Sequence, residues 1–347
     1  MMAIRRVATA DIAWLVDWHV RCFPVPADVP PRDALRAARK LFSPSIIERS
    51  VGFVARSEGR PVGAVLATEI RSPWSRQARE GVVHCALFEP DLPGRYIANL
   101  ISAMEEAAAT RGWTLLRSRL PPAASTSIAG RAGWHFHRFD VRRVFAPDER
   151  PDALGPAQIR FARPDDATFI AELTLCGLKA GMATPEKELH GEIGDAASRR
   201  YVHHVLKSNP CILIAEIEGQ RVGQAVVSMT HYNDLSGCHE ALIHDIFTVP
   251  AWQGRGIAAQ LCRCVERLAI DLGLRSINAT VSAPTPEAAA DIARKLAGAG
   301  WQIVSTVHCK RLPQIAPSRS RPAARSSAGA TMHARRFATP LNRQNDS

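Results

Sequence analysis

The chain has 347 residues, 46% of them hydrophobic and 22% charged, a globular composition with room for about two hydrophobic cores. It holds no run of about 18 apolar residues, which argues against a membrane-spanning helix. The opening Met1-Met2-Ala3-Ile4-Arg5-Arg6 leads to Asp11 and Asp17 without the apolar stretch that a signal peptide needs. The formal charge of +11 would suit a polyanion partner, but +6 of it lies in residues 311–347, where seven arginines meet one acid, Asp346. The preceding 310 residues carry only +5, so nucleic acid is not the expected partner. From Pro317 the tail is rich in Pro, Ser, Ala and Arg, with little to bury, and is expected to be disordered. The eight cysteines are scattered without a Cys-x-x-Cys pair, which predicts reduced thiols in a cytoplasmic protein and no metal site.

Taken in order, the elements occur twice. Ile4-Arg5-Arg6-Val7-Ala8-Thr9-Ala10-Asp11 resembles Ile159-Arg160-Phe161-Ala162-Arg163-Pro164-Asp165-Asp166, each a short strand before an acid-capped helix. Phe53–Val65 then parallels Ile212–Val226, a strand, a Glu-Gly turn and a second strand, hence a hairpin. An apolar strand, a glycine-containing loop and a long amphipathic helix follow over 82–110 and 241–272. Each half closes with a strand, a helix and a Gly-Trp pair, Gly133-Trp134 and Gly300-Trp301, leading into a last strand. The expected architecture is α+β: a first domain over 1–147, a linker over 148–157, a second domain over 158–313 and the basic tail over 314–347.

The chemistry concentrates in Asp245-Ile246-Phe247-Thr248-Val249-Pro250-Ala251-Trp252-Gln253-Gly254-Arg255-Gly256-Ile257-Ala258. A strand ends at Pro250, and a two-glycine loop opens a helix whose Ile257, Leu261, Val265 and Leu268 recur at helical spacing. Glycines let backbone amides approach a ligand, and a helix N-terminus favours negative charge, so the loop reads as a pyrophosphate cradle with Arg255 adding a fixed charge. Two rival loops fail. Gln260-Leu261 stand where a dinucleotide fingerprint needs its third glycine, and no Gly-Lys-Ser/Thr occurs.

What remains, Gln-x-x-Gly-x-Ala over Gln253–Ala258, resembles the coenzyme A signature of the Gcn5-related N-acetyltransferases. The preceding Val-Pro, the later Ala-Gly-Trp and the element order over 159–311 agree with it, with a weaker echo over 4–145. The resemblance implies a mixed, mostly antiparallel sheet that splays open beside the strand 242–249. Acetyl-CoA, or another short acyl-CoA, would lie along Phe247, Thr248 and Val249, hydrogen-bonded to the backbone of Phe247 and Val249 like an extra strand, with its pyrophosphate on Gln253, Gly254, Arg255, Gly256, Ile257 and Ala258. A neutral amine would attack the thioester directly, which calls for a base. Asp245 is the first candidate, with Glu240 and His244 as alternatives; His244 has the more suitable ordinary pKa.

Two departures from the family pattern stand out. Leu296 occupies the position where many relatives carry a tyrosine that protonates the leaving thiolate. In the first half, Pro93 and Tyr96 replace Gln253 and Gly256, and Glu89 and Asp91 add negative charge, so that half is expected to be a degenerate copy. The expected activity is transfer to the amine of a small molecule; the alternatives are a non-catalytic acyl-CoA-binding or regulatory module and a protein or peptide acetyltransferase. A homodimer is compatible with the sequence, and 173–209 is where the acceptor pocket is expected.

Overall fold

The computed structural model describes residues 2–22, 29–71, 79–181, 199–200, 202–203, 210–233, 238–283 and 285–314. The tail beyond Gln314 and most of the expected acceptor stretch, namely 182–198, 201 and 204–209, lie outside the described residues. The first half comprises β1 (Met2–Arg6), α1 (Ile12–Cys22), α2 (Pro31–Leu41), α3 (Pro44–Arg49), β2 (Ser50–Ser57), β3 (Arg60–Arg71), β4 (Arg79–Phe88), α4 (Gly94–Thr110), β5 (Leu115–Leu120), α5 (Pro122–Ser125) and β6 (His135–Val144). The second comprises β7 (Gln158–Phe161), α6 (Ala167–Gly181), β8 (Cys211–Ile217), β9 (Gln220–Asn233), β10 (Cys238–Thr248), α7 (Ile257–Asp271), β11 (Ser276–Ser282), α8 (Pro286–Ala297) and β12 (Trp301–Arg311).

The repeat read from the sequence is built from matching interactions. Arg5 holds Asp11 through two hydrogen bonds of 2.8 and 2.7 Å, and Arg160 holds Asp166 through two of 2.7 and 3.0 Å. Each aspartate also accepts a backbone N–H, from Ala8 at 2.9 Å and Arg163 at 2.6 Å. One acid thereby ties the first strand of its half to the turn that starts the helix. The hairpins β2–β3 and β8–β9 turn on Glu58 and Gly59 (φ 50° and 80°) and on Glu218 and Gly219 (φ 52° and 78°). Two successive positive φ angles suit the right-handed twist of the flanking strands.

The strands form one sheet in the order β1-β2-β3-β4-β5-β12-β6-β11-β10-β9-β8-β7. The halves exchange their last strands: β12 lies between β5 and β6, and β6 between β12 and β11, all antiparallel. The exchange is pinned symmetrically. Trp134 Nε1 donates to Glu105 (2.6 Å), which also pairs with Lys310 of the other half (2.7 Å). Trp301 Nε1 donates to Glu266 (2.9 Å), which pairs with Arg143 of the first half. Neither half closes its sheet alone, and Met1–Gln314 forms one compact unit.

Strand alternation sorts the core onto the two faces. In the first half Val65, Ala67 and Ala86 pack with Leu100, Ile101 and Met104 of α4, while Ala64, Leu66, Cys85 and Leu87 pack with Leu15, Trp18, Phe42 and Ile47. In the second half Ala225, Val227 and Ile243 pack with Ile257, Leu261 and Val265 of α7. Segment 148–157 is tied to α7: Gln260 exchanges hydrogen bonds with the Ala157 backbone (3.1 and 2.7 Å), and Arg263 donates to Leu154 O (3.2 Å). Among the described residues no helix is long and apolar enough to cross a membrane.

Candidate active site

Strand β10 runs parallel to β11 only at Ala241–Ile277 and Leu242–Asn278, after which the two part. On its other side β10 stays paired with β9 as far as Thr248 and Gly223. Residues 243–248 therefore offer an open strand edge. Val249 N–H donates to Val222 O (2.9 Å), and alternate residues of an antiparallel ladder point their backbone groups to opposite sides. Phe247, in register with Gln224, shares Val249's phase. The expectation that Phe247 and Val249 present their backbone to the acyl arm thus shifts by one residue: Ile246 and Thr248 face the open edge. Of these groups, Thr248 O already accepts from Gln253 Nε2 at 3.1 Å. The buried Thr248 hydroxyl has no partner among the described residues.

The chain leaves β10 through a 3-10 turn at Pro250–Trp252 and reaches α7 by way of Gln253, Gly254, Arg255 and Gly256. Gly254 and Gly256 have φ of +78° and +80°, a region that costs an L side chain about 1–2 kcal/mol. A Cβ added at either would meet nothing within 4 Å, so the space before the loop is clear. Gly256 caps α7, whose first amides, Ile257 and Ala258 among them, have no acceptor within the helix. Arg255 stacks its guanidinium 4.6 Å from the Trp252 ring centre, a cation fixed beside those amides. Amides, helix dipole and cation together fit an extended polyanion, and the residues named from the sequence, Gln253 to Ala258, form this one loop.

The three candidate bases lie apart in environment. Asp245 and Phe247 face α6: a Cβ on Gly177 would come 3.1 Å from Asp245 Oδ1 and 3.2 Å from the Phe247 ring. Burial pushes the Asp245 carboxyl up to about 6, against the opposing hydrogen bond from Gln224. His244 sits on a bulge between the registers of Ile243 and Asp245, is exposed, and places Nε2 2.7 Å from Ser228 Oγ. Although it keeps solvent contact, partial desolvation of its ring and the nearby His231 lower its pKa. Glu240 is fully buried and accepts from Arg142 Nε (3.0 Å) and Nη2 (2.8 Å), from Asn233 (2.9 Å) and from Asn278. A carboxylate so fully hydrogen-bonded ties strands together. Leu296, where the tyrosine was expected, packs against the apolar core of the second half.

One residue, Gln224, escaped the sequence reading. Gln224 on β9 is buried and donates through Nε2 to Thr174 Oγ1 of α6 (2.7 Å) and to Asp245 Oδ2 (3.1 Å). The aligned hairpins held the signal, since Gly223-Gln224 lies opposite Gly63-Ala64. In the first half the loop is lost: α4 starts at Gly94 with Pro93 as its cap, and Tyr96 N–H donates back to Pro93 O (2.9 Å). Among the described residues no cluster of three or more His, Cys, Asp or Glu is arranged to hold a metal ion.

Residues 178–298 match the sequence model of the acetyltransferase (GNAT) family. Among solved structures, a GCN5-related N-acetyltransferase from Sphaerobacter thermophilus is similar, with TM-score 0.52 and 17% identity over 90% of this chain and 97% of that one. A GCN5-related glucosamine N-acetyltransferase region of a fungal multi-domain GH3 beta-N-acetylglucosaminidase gives TM-score 0.51 and 13% identity over 89% of this chain and 38% of that one. Comparison with the curated proteins finds no match. At these identities the structural likeness establishes the fold. Residues 178–298 are thus similar to the acetyltransferase (GNAT) family model, and the chain as a whole has a GNAT-like fold.

Proposed function

We propose that the second half transfers an acetyl or other short acyl group from acyl-CoA to the amine of a small molecule, and that the first half binds no acyl-CoA. The observation that carries this reading is the pairing of an open β10 edge with a left-handed two-glycine loop at the start of α7. Acetyl-CoA supplies an activated acyl group as a thioester. The backbone of Ile246 and Thr248 would align the acyl arm as an added strand, and the amides of 254–258 with Arg255 would hold the pyrophosphate.

Asp245 suits the role of base better than its neighbours. It lies on the α6 face, burial raises its carboxyl to about 6, and with Gln224 as its one hydrogen-bond donor among the described residues it keeps acceptor capacity free. Ionised Asp245 takes one proton from the incoming ammonium. The freed lone pair forms the N–C bond as the C–S bond breaks, and the second nitrogen proton leaves with the thiolate as the thiol. With Leu296 in place of a tyrosine, the thiolate takes that proton without an enzyme acid, consistent with an ordinary thiol pKa of about 8–9.

The test is release of free thiol from acetyl-CoA on addition of single amines, with mass spectrometry of the product. Glucosamine, which the fungal structural relative is described as acetylating, belongs in the panel beside amino acids, polyamines and lysine peptides. An acetylated small amine supports the reading. Turnover with peptides alone replaces it with the protein-acetylating alternative, and acetyl-CoA binding without any turnover replaces it with the non-catalytic module.

A further inference from the structure

Gln224 is fully buried, and both of its N–H donors are committed, one to Thr174 Oγ1 at 2.7 Å and one to Asp245 Oδ2 at 3.1 Å. The orientation of the amide follows from its partner, because an ionised carboxylate only accepts. Gln224 Oε1 is left buried with no partner among the described residues. A buried carbonyl without a donor is costly, and the fold does not require it. In the first half the aligned pair is Ala64 and Cys85, both fully buried in an apolar cluster with Leu15, Phe42, Leu66 and Leu87. The same backbone is thus satisfied without polar groups at these two places. The second half keeps a carboxylate and an amide there, held side by side.

We infer that Gln224 positions Asp245 and is itself a substrate contact, its Oε1 accepting an N–H from the acceptor amine while Asp245 takes the proton. This rests on the reading of Asp245 as the base. Two adjacent acceptors match an ammonium, which has three N–H donors and can satisfy both while one proton is removed. A hydroxyl has a single O–H and would leave one acceptor bare, so the pair selects amines over alcohols. Thr174 fixes the amide from α6, which makes the contact rigid.

Among the described residues, Gly177 from α6 and Gln224 from β9 lie against Asp245, Thr174 reaches it through Gln224, Phe247 shares its face of β10, and neighbouring His244 is bonded to Ser228. None of the groups found to shift Asp245 is charged, so the effect of Gln224 can be read directly. The experiment is a titration of the full chain carrying ¹³C-carboxyl aspartate, with the Asp245 signal assigned through Asp245→Asn. Gln224→Met keeps the volume and removes the donor and the acceptor; its expected result is a rise of about one pH unit in the Asp245 midpoint. Millimolar ethylammonium, the amine probe, should perturb the Asp245 signal in the wild type and at least about fivefold more weakly in the variant. Should Gln224→Met fold poorly, Gln224→Ala serves, since Ala64 occupies that place in the first half. An unmoved midpoint, or an unchanged response to ethylammonium, overturns the inference. Acetyl-CoA affinity is measured on the same samples. Its absence from the wild type would remove the transferase reading while leaving the Gln224–Asp245 result to stand or fall by itself.

Discussion

In the first half β4 ends at Phe88 and α4 begins at Gly94; in the second β10 ends at Thr248 and α7 begins only at Ile257. Residues 94–96 are helical where the aligned 254–256 form a loop with two left-handed glycines. On the opposite face Ala64 and Cys85 continue an apolar core, while Gln224 and Asp245 interrupt one. What surrounds these places is shared: the Arg–Asp grip, the Glu-Gly hairpin turn and the Trp–Glu pair that receives a cation from the other half. The difference teaches that the fold rests on the shared parts, and that the capacity for chemistry lies in a loop about three residues longer and in two polar side chains, buried Gln224 and half-buried Asp245.

The comparison is broken most severely at Asp245. Asp245→Asn should lower the rate of acyl transfer by about 10²–10⁴-fold and leave acetyl-CoA affinity unchanged, as read by thiol release beside calorimetry. In the wild type the rate should rise with pH through about 6, as the carboxyl ionises; the variant should lack this limb. Equal activity of the two proteins would exclude Asp245 as the base.

Next in size is the buried pair formed by Glu240 and Arg142, which joins the second half to a strand contributed by the first. Its counterpart Glu80 is served by Arg117 from its own half (3.1 Å). Arg142→Leu leaves a buried carboxylate without its cation and should cost about 3–5 kcal/mol in urea unfolding. A loss below about 1 kcal/mol would mean that Asn233 and Asn278 satisfy Glu240 without it.

The smallest effect concerns stability against pH. Burial raises the Asp245 carboxyl from its ordinary value to about 6, so between about pH 4 and 6 the folded chain binds a proton that the unfolded chain has lost. The stability contributed by this group is full below about pH 4 and is lost as the pH rises through 6, by at most about 3 kcal/mol. Asp245→Asn should remove that decline, and its unfolding midpoint should exceed that of the wild type at pH 7.5 but not at pH 4. Parallel curves would show that the carboxyl is better solvated than its position suggests.

The two hairpins, the acid-capped turns and the two-glycine loop were legible in the sequence because each depends on contacts close along the chain. The strand exchange was not. Alternation in His135–Val144 and Trp301–Arg311 says which side chains face the core, but nothing local says which strand lies alongside. The backbone phase along β10 was misplaced by one residue for a related reason, since hydrogen-bonding direction is set by register with β9 and by the irregularity at His244. Gln224 was passed over because a lone glutamine carries no motif; its meaning comes from Thr174, 50 positions away in sequence, and Asp245, 21 away.

Calorimetric titration of acetyl-CoA into the wild type, beside Gly256→Tyr, tests the central claim most directly. The substitution places at Gly256 the residue that the first half carries as Tyr96, on a backbone with φ of +80°. One equivalent bound by the wild type and none by the variant is the expected result. An absence of binding by the wild type would contradict the cradle, and two equivalents would contradict the assignment of a single site to the second half.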